Sequence, residues 1–185
     1  MEIKNLQSFY RQQVADIAAE CFIEDGYFKK YGQSKETRRS KLIEIYSAGF
    51  DIAIRNGNVY GVFENNSLIG FAVVFDYKKL ISNKQDFDII FPYDCTTCDY
   101  NVNLFIEKVN NLKNVSYLNT ICVLPQYQRK GIGSNLVKFL TYEFDEIVSD
   151  VENVGSLSIY KNLGFIIEKL NESYYFVYKS KSTKE

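Results

Sequence analysis

The segment Val123-Leu-Pro-Gln-Tyr-Gln-Arg-Lys-Gly-Ile-Gly-Ser-Asn-Leu136 constrains the chain more than any other, because it joins an apolar strand to an amphipathic helix through a basic turn with two glycines. The first turn of a helix carries backbone N–H groups with no internal partner, together with the positive end of the macrodipole, so anions settle there. Gly131 and Gly133 lack a Cβ, which lets a bulky pyrophosphate come close to the backbone. Gln128, Arg129, Lys130 and Ser134 add polar side chains around that position. The segment therefore reads as a phosphate cradle.

The elements on either side are legible from hydrophobic spacing. Residues 2–6 read as a short strand, and Val14, Ile17, Ala18, Cys21 and Phe22 mark one buried helical face. A second helix is expected over 35–49, with Ser34 as its N-cap. Val59–Glu64 and Leu68–Phe75 read as a hairpin around Asn65-Asn66-Ser67. Residues 76–99 lack clear periodicity and read as a long irregular connection. Val102, Phe105, Ile106, Val109 and Leu112 define a third helix, followed by a strand over 115–124. The fourth helix begins near the glycines with an inward stripe of Ile132, Leu136, Val137, Leu140 and Phe144, and 146–151 returns as a strand parallel to the one before the turn. A last helix over 153–163 ends at Gly164, and Phe165–Leu170 with Tyr174–Lys179 form a closing hairpin. The expected fold class is mixed α/β, with residues 1–180 as one domain and 181–185 as a frayed tail.

Composition removes whole classes of chemistry. The chain of 185 residues contains no histidine, which excludes a Ser-His-Asp or Cys-His nucleophile and a His-ligated zinc. Acid and base work falls to Glu, Asp, Tyr, Lys, Cys or water. A net charge of −1 provides no global field toward nucleic acid or membrane, and no signal-peptide or membrane-spanning run stands out, so a cytoplasmic protein is expected. Cys21, Cys95, Cys98 and Cys122 are too few and too irregular for a disulfide scaffold, and Cys95-Thr-Thr-Cys98 lacks the two further ligands a structural zinc wants. No metal is expected.

The two commonest nucleotide motifs do not fit. A Rossmann GxGxxG needs a third glycine where Leu136 stands, and no GxxxxGK occurs. What remains is QxxGxG, Gln128 to Gly133, after a strand ending in Val-Leu-Pro. It is joined downstream by Asn153-Val-Gly-Ser-Leu-Ser-Ile-Tyr160-Lys-Asn-Leu-Gly164-Phe165. Together these resemble the two signatures of the GNAT N-acetyltransferase superfamily, and the order of elements is similar across most of the chain.

The resemblance implies a three-layer fold whose central, mostly antiparallel sheet is splayed at the acyl-CoA strand and flanked by helices. It implies acetyl-CoA as cosubstrate, with its pyrophosphate on the backbone of Arg129, Lys130, Gly131, Ile132, Gly133 and Ser134 beside Gln128. The pantetheine arm would pair with Ile121, Cys122 and Val123 almost as an added strand. A primary amine would attack the thioester directly in a ternary complex, with Tyr160 protonating the departing thiolate. Two readings stay open at several positions. Tyr160 serves catalysis or packing, Asn153 touches the cofactor or caps its helix, and Cys122 is a reactive thiol or a small buried residue.

The chain departs from the family where a strand carboxylate often acts as base, since Asn119 and Thr120 stand there. Asn119 or Tyr117 could order a water that relays the amine proton, while Glu24 or Asp25 could hold a cationic acceptor. Tyr27, Phe28, Tyr93, Tyr174 and Tyr175 are candidates for an aromatic acceptor wall. The alternative to an enzyme is a non-catalytic acyl-CoA-binding module without a competent base. The acceptor amine, and whether the protein is a monomer or a homodimer, have no signature in the sequence.

Overall fold

The structure is a computed structural model that describes residues 1–91, 98–112, 114–152, 154–172 and 174–181. Its contacts divide the chain into two compact units, 1–74 with 120–133 and 75–119 with 134–185. Among the described residues there are seven strands, and the residues of the strand before the glycine turn are divided between the two units.

In the first unit, β1 (Glu2–Asn5) pairs antiparallel with β2 (Gly57–Glu64), which neighbours β3 (Ser67–Asp76), itself next to β4 (Ser116–Val123). The β2–β3 connection is two residues long. Asn65 and Asn66 have φ of 50° and 64°, the left-handed geometry of a hairpin turn that matches strand twist and that asparagine tolerates. Between its ends β3 is buried without interruption, as a central strand covered on both faces must be. Gly70 explains how β3 and β4 approach, since a Cβ there would lie 2.6 Å from the Cys122 carbonyl oxygen.

Helix α1 (Arg11–Phe22) packs on α2 (Lys35–Asn56), burying Val14, Ala15, Ile17, Ala18 and Ala19. Ser34 caps α2 as expected, accepting the Thr37 N–H at 3.1 Å. The helix is longer than its sequence suggests, however, running past Gly49 to Asn56. An interior glycine costs about 1 kcal/mol relative to alanine, which the buried Phe50, Ile52 and Ala53 offset by continuing the apolar face.

In the second unit the strand order is β4, β5 (Glu146–Val151), β7 (Tyr175–Ser180), β6 (Ile166–Lys169). β5 and β7 pair antiparallel along their full length, as do β6 and β7. The parallel register of β4 with β5 covers only Ser116 and Tyr117. At the next position a side chain replaces the ladder, with Ser149 Oγ donating to the Leu118 carbonyl at 2.8 Å. The parallel pairing and its early end agree with a sheet splayed at β4.

The connection expected to be irregular contains two short helices, α3 (Tyr77–Ser82) and α4 (Lys84–Ile90). Each is capped by a side chain, Asp76 accepting from Lys79 N–H and Asn83 from Asp86 N–H. Six and seven residues are too few to display a 3.6 period, so only the caps announced them. Pro92, Tyr93 and Cys95 lie outside the described residues. Helix α5 (Cys98–Asn110) follows, then β4, α6 (Ile132–Glu143) and α7 (Val154–Asn162). The expected stripe of α6 is buried at Ile132, Leu136, Val137 and Leu140, whereas Phe144 falls just past the helix end. The mixed α/β class with a seven-stranded, mostly antiparallel sheet stands. Among the described residues no helix is long and apolar enough to cross a membrane.

Candidate active site

The glycine turn lies in the first unit. After β4 the chain makes a 3-10 turn over Pro125–Tyr127, with Tyr127 N–H donating to the Leu124 carbonyl at 2.8 Å. It then passes through two left-handed positions, Arg129 at φ 60° and Gly131 at φ 77°. Gly131 suits that geometry. Arg129 adopts it against its steric preference, the kind of local strain that collects at binding loops. No atom lies within 4 Å of a Cβ built on Gly131, so the space over that residue is open. Gln128, Arg129 and Lys130 are exposed, and among the described residues neither Arg129 nor Lys130 forms an ion pair. Lys130 Nζ sits 5.2 Å from the centre of the Tyr127 ring. Gln128 Nε2 donates to the Val123 carbonyl at 2.9 Å and braces the turn against the strand. Two exposed cations, an open glycine and the start of a twelve-residue helix form an arrangement suited to a polyanion.

Of the expected pantetheine strand, Ile121 is half-buried and Cys122 and Val123 are buried. Burial pushes the Cys122 thiol well above its ordinary value, and the Cys21 thiol beside it adds to the effect. A thiol held protonated is a poor nucleophile, which favours the packing reading of Cys122. Cys21, lowered chiefly by its hydrogen bond with Cys122, donates to the Val123 carbonyl at 3.3 Å. Glu24 is ion-paired with Lys35, which holds its carboxyl below the ordinary value. Phe28 packs with Phe22 and Tyr46 in an aromatic group of the first unit. The side chain of Tyr27 lies outside the described residues.

The second unit holds Tyr160 in a polar cluster. Its phenol is buried, points at Ser149 Oγ at 3.5 Å, and is pushed up to about 12 by burial, while Phe165 meets its ring edge-on at 5.1 Å. Gly164, at φ 72°, ends α7 and lets Phe165 N–H return to the Tyr160 carbonyl at 3.0 Å. Asn153 is outside the described residues. Ser134, on α6, is half-buried.

One residue of this cluster has no counterpart among the sequence candidates. Asp150, on β5, accepts from Tyr117 Oη at 2.8 Å through Oδ1 and from Tyr174 Oη at 3.0 Å through Oδ2. Asn119 Nδ2 donates to the Tyr117 oxygen at 3.0 Å, so Asn119 and Tyr117, expected to order a water, are tied to each other and to a carboxylate. The Tyr117 ring is fixed by Phe91, stacked at 5.4 Å, and by Phe105 at 4.9 Å. Burial raises Asp150 above the ordinary carboxylate value, outweighing its two tyrosine donors. Tyr174 serves this cluster as a buried side chain, and Tyr175 is half-buried in β7. The available sequence signal was a lone carboxylate inside the apolar strand Ile147-Val-Ser-Asp-Val151. Among the described residues, no three His, Cys, Asp or Glu side chains gather to hold a metal.

The acetyltransferase (GNAT) family matches residues 12–165, and the chain belongs to that family. The particular relatives differ in reach. N-alpha-acetyltransferase 30 of Homo sapiens is 39% identical over 66 residues, and the match spans 32% of this chain and only 18% of that protein. Its Xenopus laevis counterpart has the same identity, over 24% of its length. Among solved structures, a PaiA N-acetyltransferase from Thermoplasma acidophilum in complex with coenzyme A superposes with a TM-score of 0.60 at 19% identity, covering 97% of this chain and 98% of that one. A structure described as histone acetyltransferase HPA2 and related acetyltransferase, from Corynebacterium glutamicum, gives 0.66 at 14% identity, with 96% and 94% covered. These two likenesses carry the fold.

Proposed function

We propose that the chain is an acetyl-CoA-dependent N-acetyltransferase that passes the acetyl group to a primary amine by direct attack, without a covalent enzyme intermediate. The observation that carries this reading is the basic turn at 128–134, with Gly131 open and left-handed and Arg129 and Lys130 free of ion pairs among the described residues, in a member of the GNAT family. The coenzyme A in the Thermoplasma neighbour supports the same donor. Gly131, Ile132, Gly133 and Ser134 would offer backbone N–H groups to the pyrophosphate, with Arg129 and Lys130 neutralising charge. Ile121, Cys122 and Val123 supply the strand edge for the pantetheine arm, and a backbone N–H there stabilises the developing oxyanion. Tyr160, protonated across the physiological range, is the acid for the thiolate.

The short match to the N-alpha-acetyltransferases makes peptide α-amines the first acceptors to try. The test is thiol release from acetyl-CoA in the presence of peptides, polyamines, amino acids and aminoglycosides. Turnover with any of them establishes the enzyme. Tight acetyl-CoA binding with no turnover across the panel favours a binding module instead, and absence of acetyl-CoA binding removes the donor assignment.

A further inference from the structure

Most carboxylates of this chain that make ion pairs do so at the surface. Arg39 holds Asp16, Arg11 holds Asp51, Lys181 holds Asp145 and Lys108 holds Glu168. Asp150 is different. It is half-buried in β5, both of its oxygens are held by neutral phenols, and among the described residues no lysine or arginine reaches it. A carboxylate partly removed from water without a cation is costly for the fold, and two phenol hydrogen bonds recover only part of that cost. Each oxygen takes one tyrosine proton, the backbone N–H of Asp150 takes a further lone pair, and one acceptor position remains. Charge and geometry together match a ligand that carries an N–H donor and one positive charge.

Resting on the acetyltransferase reading, we infer that Asp150 is the residue that receives the acceptor, binding a primary ammonium and then taking its proton, with Tyr117 and Tyr174 as positioning residues. The missing carboxylate on β4 is thereby replaced by one on β5, reached through Tyr117 on β4. One ammonium proton moves to an Asp150 oxygen, and the freed nitrogen lone pair forms the C–N bond to the acetyl carbonyl carbon. When the adduct collapses the C–S bond breaks, its electron pair goes to sulfur, and a second amine proton ends on that sulfur, directly or by way of Tyr160. Asp150 then returns its proton to solvent. The raised carboxyl is the better proton acceptor for it.

Among the described residues the titratable groups facing Asp150 are Tyr117 from β4, Tyr160 from α7 and Tyr174 just before β7. Tyr117 is shifted upward by burial and Tyr160 to about 12, so both stay neutral at pH 7–9. Over that range neither phenol's ionisation shapes the pH profile.

The experiment compares the full chain with Asp150→Asn and Asp150→Glu, using acetyl-CoA and spermidine, lysine and a tetrapeptide with a free N-terminus. Asp150→Asn should lower kcat/KM for the amine by roughly 10²- to 10⁴-fold, the range of a lost general base. Acetyl-CoA affinity, read by calorimetry, should hold, and this also reports that the variant folds. Only free amine then reacts, so kcat/KM of the variant should climb close to tenfold per pH unit between about pH 7 and 9 for spermidine and lysine, and for the tetrapeptide should level off above about pH 8, where its α-amine is already free. Asp150→Glu should recover part of the loss. An active wild type whose Asp150→Asn variant keeps its kcat/KM overturns the inference alone, as does a loss with an unchanged pH profile. A wild type inactive toward every amine overturns the acetyltransferase reading and this inference with it.

Discussion

Tyr117 donates its phenolic proton to Asp150 across 2.8 Å while its own oxygen accepts from Asn119 at 3.0 Å. The phenol is thus oriented from both sides of its oxygen, and the rings of Phe91 and Phe105 pack against it. Such a cluster, with a charge at its centre, is expensive to maintain in a strand that also carries the buried Ile147, Val148 and Val151.

That expense has a measurable sign. The folded chain holds the Asp150 proton more tightly than the unfolded chain, so its favourable contribution is present below the ordinary carboxylate value and is lost as pH rises through the raised one. Asp150→Asn is therefore expected to increase the urea midpoint at neutral pH, with the gain shrinking toward about pH 3 to 4, where an ordinary carboxyl protonates. Urea titrations of both proteins at the two pH values check this. Loss of stability at neutral pH would mean that the carboxylate is a structural anchor.

Tyr160→Phe is expected to lower turnover by roughly 10²-fold or more, as removal of a general acid does, and to leave acetyl-CoA affinity unchanged. The Ser149 contact is long at 3.5 Å, so its loss costs little stability. With the phenol pushed up to about 12, no alkaline fall in kcat below about pH 11 is expected from this residue. Unchanged turnover leaves Tyr160 a packing residue beside Phe165.

Gly131→Ala tests the turn. A Cβ meets nothing within 4 Å, so the cost is that of a left-handed φ alone, on the order of 1–2 kcal/mol. Gly131→Asn should cost less, since asparagine tolerates this geometry. Coenzyme A affinity measured for both variants should follow the same order, with alanine the weaker binder.

Gly70→Ala places a methyl 2.6 Å from the Cys122 carbonyl oxygen and 3.2 Å from Val123 Cα. Backbone must move, and a loss of roughly 1–3 kcal/mol is expected, as for other overpacked interiors. Thermal denaturation measures it. A variant as stable as wild type would show that β3 and β4 can separate without cost.

Long periodic elements were readable from the sequence because burial repeats with the helix or strand period. The α1 face, the Ser34 cap, the β2–β3 hairpin and the α6 stripe all follow that rule. Glycine misled the reading at Gly49, where packing outweighed propensity, and short capped helices escaped it at α3 and α4. The glycine turn between β4 and α6 was readable because its residues are contiguous. Asp150 was not, since its partners are 33 residues before it and 24 after it, and a contact at such separation has no local pattern.

The Val123 carbonyl, which takes the Cys21 thiol from one side and the Gln128 amide from another, has two lone pairs and two donors. It is therefore saturated. A ligand that extends the sheet at β4 finds no acceptor there, and the carbonyl of Ile121 becomes the next foothold on the strand. Donor selectivity in this chain would then depend less on how many hydrogen bonds the arm can make than on how far along β4 its first amide must reach.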